Sequence, residues 1–323
     1  MSITAFSEMN SPIISIVIAN YNYGRFLDEA IQSIVSQDMG DKVELIICDA
    51  ASTDNSVEVI EKYANGLPPN TQYSEWCSLK SNTVRPNCQL ISWWCTEKDG
   101  GQSDAFNKGF SHARGRYLTW LNADDWFAPN ALKTVVRYLE KYPQSEWFAG
   151  GGCRVSANGL IMKFNQTRKF QKVRAEAGEL QTCGPSSFFA RSLYERVGGY
   201  VDSDFHIAMD IELWERFYHI GGVSYIRIPG YLWLFRVHEA SKTAHEDAGV
   251  QTKHDDSNPA WVKCCEEHRI IKKRYCVAPL TWWRRVLSIS PVEKLISMLD
   301  TMRFKGKRYE LFFPNSNRRR GVY

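Results

Sequence analysis

Apolar positions in the first 125 residues switch between two periods. Residues 13–19 are a nearly continuous run of β-branched residues, the pattern of a strand buried on both faces. Leu27, Ala30, Ile31, Ile34 and Val35 then recur at helical spacing. Residues 43–48 form a second apolar run that stops at Asp49. The stretch Ser52-Thr53-Asp54-Asn55-Ser56 supplies capping side chains ahead of Val57, Val59, Ile60 and Tyr63. The same reading predicts a third strand over 91–95, a helix over 102–113 and a fourth strand over 116–121. Strands and helices alternating at this interval predict an α/β domain, a mostly parallel sheet joined by right-handed crossovers. Residues 68–87, with their prolines and polar side chains, read as an insertion or long loop.

Pro129 opens another helix, carried by Leu132, Val135, Val136 and Leu139. Runs at 147–155 and 160–164 flank Asn158-Gly159, the residues favoured in a tight hairpin turn. Residues 184–240 mix short helices and strands. Beyond Ser241 the chain becomes polar and ends in two amphipathic stretches (Trp282, Trp283, Val286, Leu287; then Val292, Leu295, Ile296, Leu299). Basic runs stand at 303–308 and 318–320.

Composition narrows the class. Of 323 residues, 44% are hydrophobic and 24% charged, a globular balance rather than a disordered one. A net charge of +4 is too modest to point to nucleic acid. The sequence has no apolar run of bilayer length and no N-terminal signal pattern, which predicts a cytoplasmic chain. Its nine cysteines are odd in number and irregularly spaced, so free thiols are expected rather than a zinc site. The sequon Asn165-Gln166-Thr167 has no consequence in that compartment.

Ligands of open parallel sheets bind beyond the carboxyl ends of the strands. The first predicted strand ends in Asn20-Tyr21-Asn22-Tyr23, a polar and aromatic cluster suited to a ribose or base. Asp49 follows the second strand, Glu97 and Asp99 the third, and Asn122, Asp124 and Asp125 the fourth. Capping explains any one of these residues, but not all four clusters on one edge. Paired carboxylates at a strand end also suit a hard divalent cation bridging phosphates. No GxGxxG follows the first strand and no GxxxxGK[ST] occurs, which argues against dinucleotide and P-loop sites.

The segments SIVIANYN, VELIICDAASTDNS, EKDGGQSDAFNKGFSHARGRYLTWLNADD and GPSSFFARSLYERVGGYVDSDFHIAMDIELWERF together resemble the family 2 glycosyltransferases of the GT-A fold, over about residues 12–240. The resemblance implies a GT-A type, Rossmann-like sheet flanked by helices, with a helical C-terminal extension. It implies a nucleotide-sugar-binding half (1–127), an acceptor-binding half of the same domain (128–240) and a basic extension (241–323). It also implies an inverting enzyme that uses Mn2+ or Mg2+ and a nucleotide-sugar donor, with UDP the expected carrier.

Carried over residue by residue, the resemblance gives Asp49 the base. Nucleotide contacts fall to Asn20, Tyr21 and Asn22, and to Asp99 and Asp104. The DxD metal motif becomes Asn122-Ala123-Asp124, with Asn at its first position. Asn122 and Ala123 are kept as nucleotide contacts, and metal ligation is given to Asp124 and Asp125, unranked. Asp210 matches the general base, which takes the acceptor proton opposite the departing phosphate. Met209 precedes it where many relatives carry an acid. His238 matches a late histidine that reaches the metal or diphosphate, and Arg236 and Lys242 beside it suit phosphate oxygens.

Trp93, Trp94 and Trp120 read as core. Trp214 and Trp233 read as core or as platforms for a sugar ring. The expected partners are a nucleotide-sugar donor, a glycan or lipid-linked acceptor and no nucleic acid. Peripheral contact with the inner face of a membrane through the basic, Trp-containing tail is weighed against a helix simply packed on the domain. Two other functions stay open: a sugar-phosphate nucleotidyltransferase, which shares the sheet topology, and a non-catalytic glycan-binding module on the same fold. Against the first, residues 20–23 are not a glycine-rich basic loop. Against the second, Asp124, Asp125 and Asp210 are all present.

Overall fold

The computed structural model describes residues 11–72, 91–167, 175–176, 184–239, 241, 259–275 and 291–312. Residues 73–87 of the predicted insertion, Lys242, the stretch around Trp282 and Trp283, and the run 318–320 lie outside them.

The first half is built as its pattern predicts. Strands β1 (Ile14–Asn20), β2 (Val43–Asp49), β3 (Ile91–Thr96) and β4 (Tyr117–Asn122) alternate with helices α1 (Gly24–Val35), α2 (Ser56–Ala64) and α3 (Gln102–His112). These strands are parallel in the order β3-β2-β1-β4. Their apolar runs are buried on both faces, which is why they lack polar alternation. Register places Asn20 beside Asp49, Asp49 beside Thr96 and Ala19 beside Asn122, so all four strands end on one edge.

The second half is mixed. Strand β5 (Trp126–Phe127) and helix α4 (Ala131–Lys141) lead into β6 (Trp147–Ser156) and β7 (Ile161–Asn165), an antiparallel pair closed through Asn158-Gly159, with Gly159 in the left-handed region. Next come β8 (Ser187–Ala190), α5 (Arg191–Arg196), α6 (Met209–His219) and β9 (Tyr225–Val237). The sheet continues from β4 as β8-β6-β9-β5, with β8 antiparallel to β4 and β9 parallel to β6. The parallel character therefore belongs to the first four strands, and the curled remainder extends it.

Trp214 lies in the core between these halves. Its ring stacks on Trp120 of β4 (5.5 Å, 7°) and on Trp147 of β6 (5.1 Å, 27°), fully removed from solvent. Trp93, Trp94 and Trp120 are buried as expected.

The extension contributes α7 (Pro259–Arg274), α8 (Pro291–Phe304) and α9 (Tyr309–Phe312). Helix α7 is fastened to α6. Glu212, buried in α6, accepts hydrogen bonds from Tyr275 (2.7 Å) and from Arg274 (3.1 Å), and Arg274 also meets Asp202 at 2.6 Å. No helix among the described residues is long and apolar enough to cross a membrane. Cys48, Cys95, Cys153, Cys264 and Cys265 are free thiols.

Candidate active site

The loops after β1 and β2 are tied into one unit at the sheet edge. Both carboxylate oxygens of buried Asp49 are used within it. Oδ1 accepts from Asn20 Nδ2 (2.6 Å) and Ser52 Oγ (2.5 Å), and Oδ2 from Thr96 Oγ1 (2.7 Å) and Ser52 N (3.0 Å). Asn22, in the left-handed region at φ 55°, donates its N–H to Ser52 Oγ and accepts from Thr53 N, each at 2.8 Å. Gly24 donates to Asp54 at 2.9 Å, and a Cβ at Gly24 would lie 2.3 Å from Asn55 Oδ1. Only glycine lets the two loops approach this closely. Within this unit Asn20 Oδ1 is buried and accepts no hydrogen bond from a described residue, and Tyr21 is 59% exposed.

On the third loop, Asp99 accepts from Gly101 N (2.9 Å) and Asp104 from Gly100 N (3.0 Å). Burial, with nearby Asp104 adding to it, raises the Asp99 carboxyl above its ordinary range despite the Gly101 bond.

The structure separates the paired acids after β4. Asp125 is 0% exposed. It accepts from Arg236 N (2.9 Å), Asn122 Nδ2 (3.0 Å) and Trp233 Nε1 (3.1 Å). Burial, and then the neighbouring Asp124, push its carboxyl well above the ordinary range. Asn122 is the connector: its Oδ1 accepts from Gln102 Nε2 at 2.7 Å while its amide donates to Asp125. An aspartate here would set two carboxylates against each other, so the departure from DxD has a local physical reason. Ala123 between them is buried.

Asp124 points the other way. Its Oδ2 lies 3.0 Å from His238 Nε2, and the His238 ring is walled by Phe26 (4.8 Å) and edge-on Tyr23 (5.6 Å). Arg236 does not join them as a phosphate binder. Its guanidinium is taken by the Asp124 carbonyl (2.8 Å), the Ala157 carbonyl (3.0 Å) and Glu29, between the rings of Phe26 and Trp126. Buried in this way, it ties β9 to the β4 loop.

Asp210 is the second residue of α6. Its Oδ1 accepts from Ile211 N at 2.8 Å, and its Oδ2 accepts no hydrogen bond from a described residue. Burial lifts its pKa to about 6, a base range rather than a resting carboxylate's. The helix start is held on two sides. Ser103 of α3 donates to the Phe205 carbonyl at 3.0 Å. Glu267 of α7, itself buried, accepts three successive backbone N–H groups, from His206 and Ile207 (both 2.9 Å) and Ala208 (2.8 Å). Glu267 thus does from 59 residues away what a local cap does for most helices. Nothing in the local sequence marks it; a lone Glu in an amphipathic helix carries no motif.

The sheet order is that of an α/β fold of the GT-A type, and the sequence comparisons point to the matching family. The model for "Glycosyl transferase family 2" matches residues 15–76 and 90–197, and the chain belongs to that family. Among curated relatives, "Putative glycosyltransferase EpsE" of Bacillus subtilis is 29% identical over 67% of this chain and 71% of its own length. "Uncharacterized glycosyltransferase Rv1514c" of Mycobacterium tuberculosis is 29% identical over 63% and 68%. "Uncharacterized glycosyltransferase alr2836" of Nostoc sp. is 34% identical, but the match spans 39% of this chain and only 33% of that protein. Among solved structures, S. aureus TarS 1–349 superposes with a TM-score of 0.53 at 14% identity, covering 90% of this chain and 91% of that one. Its complex with UDP-GlcNAc gives 0.51 at 16% identity, over 71% and 59%. At these identities it is the fold that is shared. The chain is a glycosyltransferase.

Proposed function

We propose that this chain transfers a sugar, with inversion, from a nucleoside diphosphate carrier to an acceptor hydroxyl in polysaccharide or glycoconjugate synthesis. The observation that carries the reading is the Asp124–His238 pair, 3.0 Å apart, at the carboxyl end of β4. The chain brings these residues together from 114 positions apart. UDP is the expected carrier, since the similarly folded TarS was crystallised with UDP-GlcNAc.

Nucleoside recognition falls to the unit of the first two loops. Tyr21 offers a ring face, while Asn20 and Asp49 hold both loops in place, Asp49 through its four hydrogen bonds. Asp99 lies on the next loop of the same edge and Asp104 in the first turn of the α3 helix that follows it. A donor set of one carboxylate and one imidazole fits Mn2+ better than Mg2+, which prefers oxygen alone, and leaves positions for phosphate oxygens. That ion would be held by Asp124 and His238. It would neutralise charge on the departing diphosphate. Asp125 and Asn122 serve as the support that keeps Asp124 turned outward.

Asp210 accepts the acceptor's hydroxyl proton through Oδ2. The freed oxygen forms a bond to the anomeric carbon as the bond from that carbon to the diphosphate breaks, and the diphosphate leaves with the electron pair. One displacement inverts the centre, so no covalent enzyme intermediate is required. The acceptor is a glycan or a lipid-linked sugar, and for the latter the C-terminal extension is the part that meets the membrane.

Thermal unfolding against UDP, GDP, TDP and CDP, with and without Mn2+, tests the donor assignment. A ligand at about a hundred times its Kd stabilises the fold by roughly 2.7 kcal/mol. Stabilisation by one nucleotide and only with Mn2+ supports the reading. No shift with any nucleotide in either condition would return the glycan-binding module to the front.

A further inference from the structure

Helix α8 is amphipathic the wrong way round. Its inward face is largely polar: Ser297 Oγ accepts from Gln166 N and Thr301 Oγ1 from Phe164 N, each at 3.0 Å. Asp300 accepts from Tyr231 OH at 2.7 Å, and Phe304 adds aromatic contacts to Phe312 (4.8 Å) and Phe164 (6.4 Å). Its outward face is apolar. Leu295, Met298, Leu299 and Met302 stand at positions i, i+3, i+4 and i+7, exposed by 50%, 51%, 52% and 75%. Scattered exposed apolar residues are ordinary, but a continuous stripe of four on one helix face is not.

Charge selects the occupant. Lys294, Arg303, Lys305 and Lys307 are exposed around the stripe, whereas Asp300 of the same helix is turned inward to Tyr231. A second copy docking by the same face would oppose these cations to their own images. An anionic surface would not. We propose that α8 is a membrane-docking helix: it lies in the plane of an anionic bilayer, with the stripe at the acyl boundary and the cations among the headgroups. The proposal deepens the reading of a membrane-borne acceptor, yet its test does not depend on sugar transfer.

The test is co-sedimentation of the full chain with vesicles of phosphatidylcholine alone and of an equal mixture with phosphatidylglycerol. The expected result is binding to the mixed vesicles, weakened by salt, and at least tenfold lower for Leu295→Ser/Leu299→Ser/Met302→Ser. Circular dichroism and nucleotide-induced thermal shifts of that variant should match wild type, since all three side chains are exposed. Equal binding by variant and wild type would overturn the proposal, as would no binding to mixed vesicles. Sedimentation velocity covers the remaining occupant: a wild-type dimer that the triple variant turns into a monomer, without vesicle binding, would assign the stripe to a second copy.

Discussion

On the proposed donor side, Asn20, Asn22, Asp49, Ser52 and Asp54 are joined by bonds between two loops that follow adjacent parallel strands. On the proposed acceptor side, Asp210 sits on a helix whose start is fixed by Ser103, 102 residues before its partner Phe205, and by Glu267, 59 residues beyond Ala208. The first arrangement follows from the strand–loop–helix repeat itself. The second requires the sheet, α3 and the C-terminal extension to be in place together. Donor-site chemistry should therefore withstand damage to the extension that the acceptor side does not.

The largest effect is expected at the proposed base. Asp210→Asn should lower transfer by roughly 10²- to 10⁴-fold while leaving nucleotide-induced thermal stabilisation unchanged; steady-state rates beside thermal shifts separate the two. With the Asp210 carboxyl at about 6, wild-type kcat/KM should fall as pH drops below that value and the base becomes protonated, and Asp210→Asn should lose this limb.

Glu267→Ala sharpens the comparison. It frees three backbone N–H groups, that of Ala208 buried and the other two part-buried, at a cost of roughly 3 kcal/mol in denaturant unfolding. Transfer should fall in the folded fraction, with Mn2+-dependent nucleotide binding retained. Equal loss of both would break the distinction between the two sides.

Asn122→Asp restores the family's acid but sets a second carboxylate against buried Asp125, in place of a 3.0 Å hydrogen bond. We expect a loss of about 2 kcal/mol in alkaline solution and a smaller one in acid, since burial and Asp124 already favour the protonated form of Asp125, read from thermal melts across that range.

A separate effect, on stability alone, concerns Glu215, buried in α6: among the described residues neither oxygen is hydrogen-bonded, and His219 Nε2 lies 3.7 Å from Oε2. Burial, then the nearby Glu212, raises its pKa from 4.5 to about 8. A group raised on folding contributes stability in full below its ordinary value and loses it as pH climbs through the folded value. Wild type should therefore weaken between about pH 5 and 8, by at most about 1.4 kcal/mol per pH unit from this group. Glu215→Gln should flatten that slope in melts recorded across the same window.

The same contrast governs how much the sequence discloses. Continuous apolar runs ending in Asn20, Asp49 and Asn122 make the parallel strands and their shared edge legible, because strand, turn and cap signals are local. The four-residue step from Asn122 to Asp125 shows two acids but not which one faces outward, since that depends on Trp233 and Arg236 of β9 more than 100 residues on. Arg236 suggests phosphate binding until Glu29 and two carbonyls are seen to occupy it. Trp214 suggests a sugar platform until Trp120 and Trp147 enclose it. Glu267 is silent in the sequence because a cap supplied from another helix leaves no spacing to read.

In the proposed donor site Asp124 with His238, not Asp125, meets the ion and diphosphate. Calorimetric titration of UDP with Mn2+ into wild type, Asp124→Asn and Asp125→Asn tests it most directly. Asp124→Asn should stay folded and lose the Mn2+-dependent part of binding. Asp125→Asn should melt at a lower temperature, yet keep that part wherever it is folded. Undiminished Mn2+-dependent binding by Asp124→Asn, with loss confined to a fully folded Asp125→Asn, would contradict it.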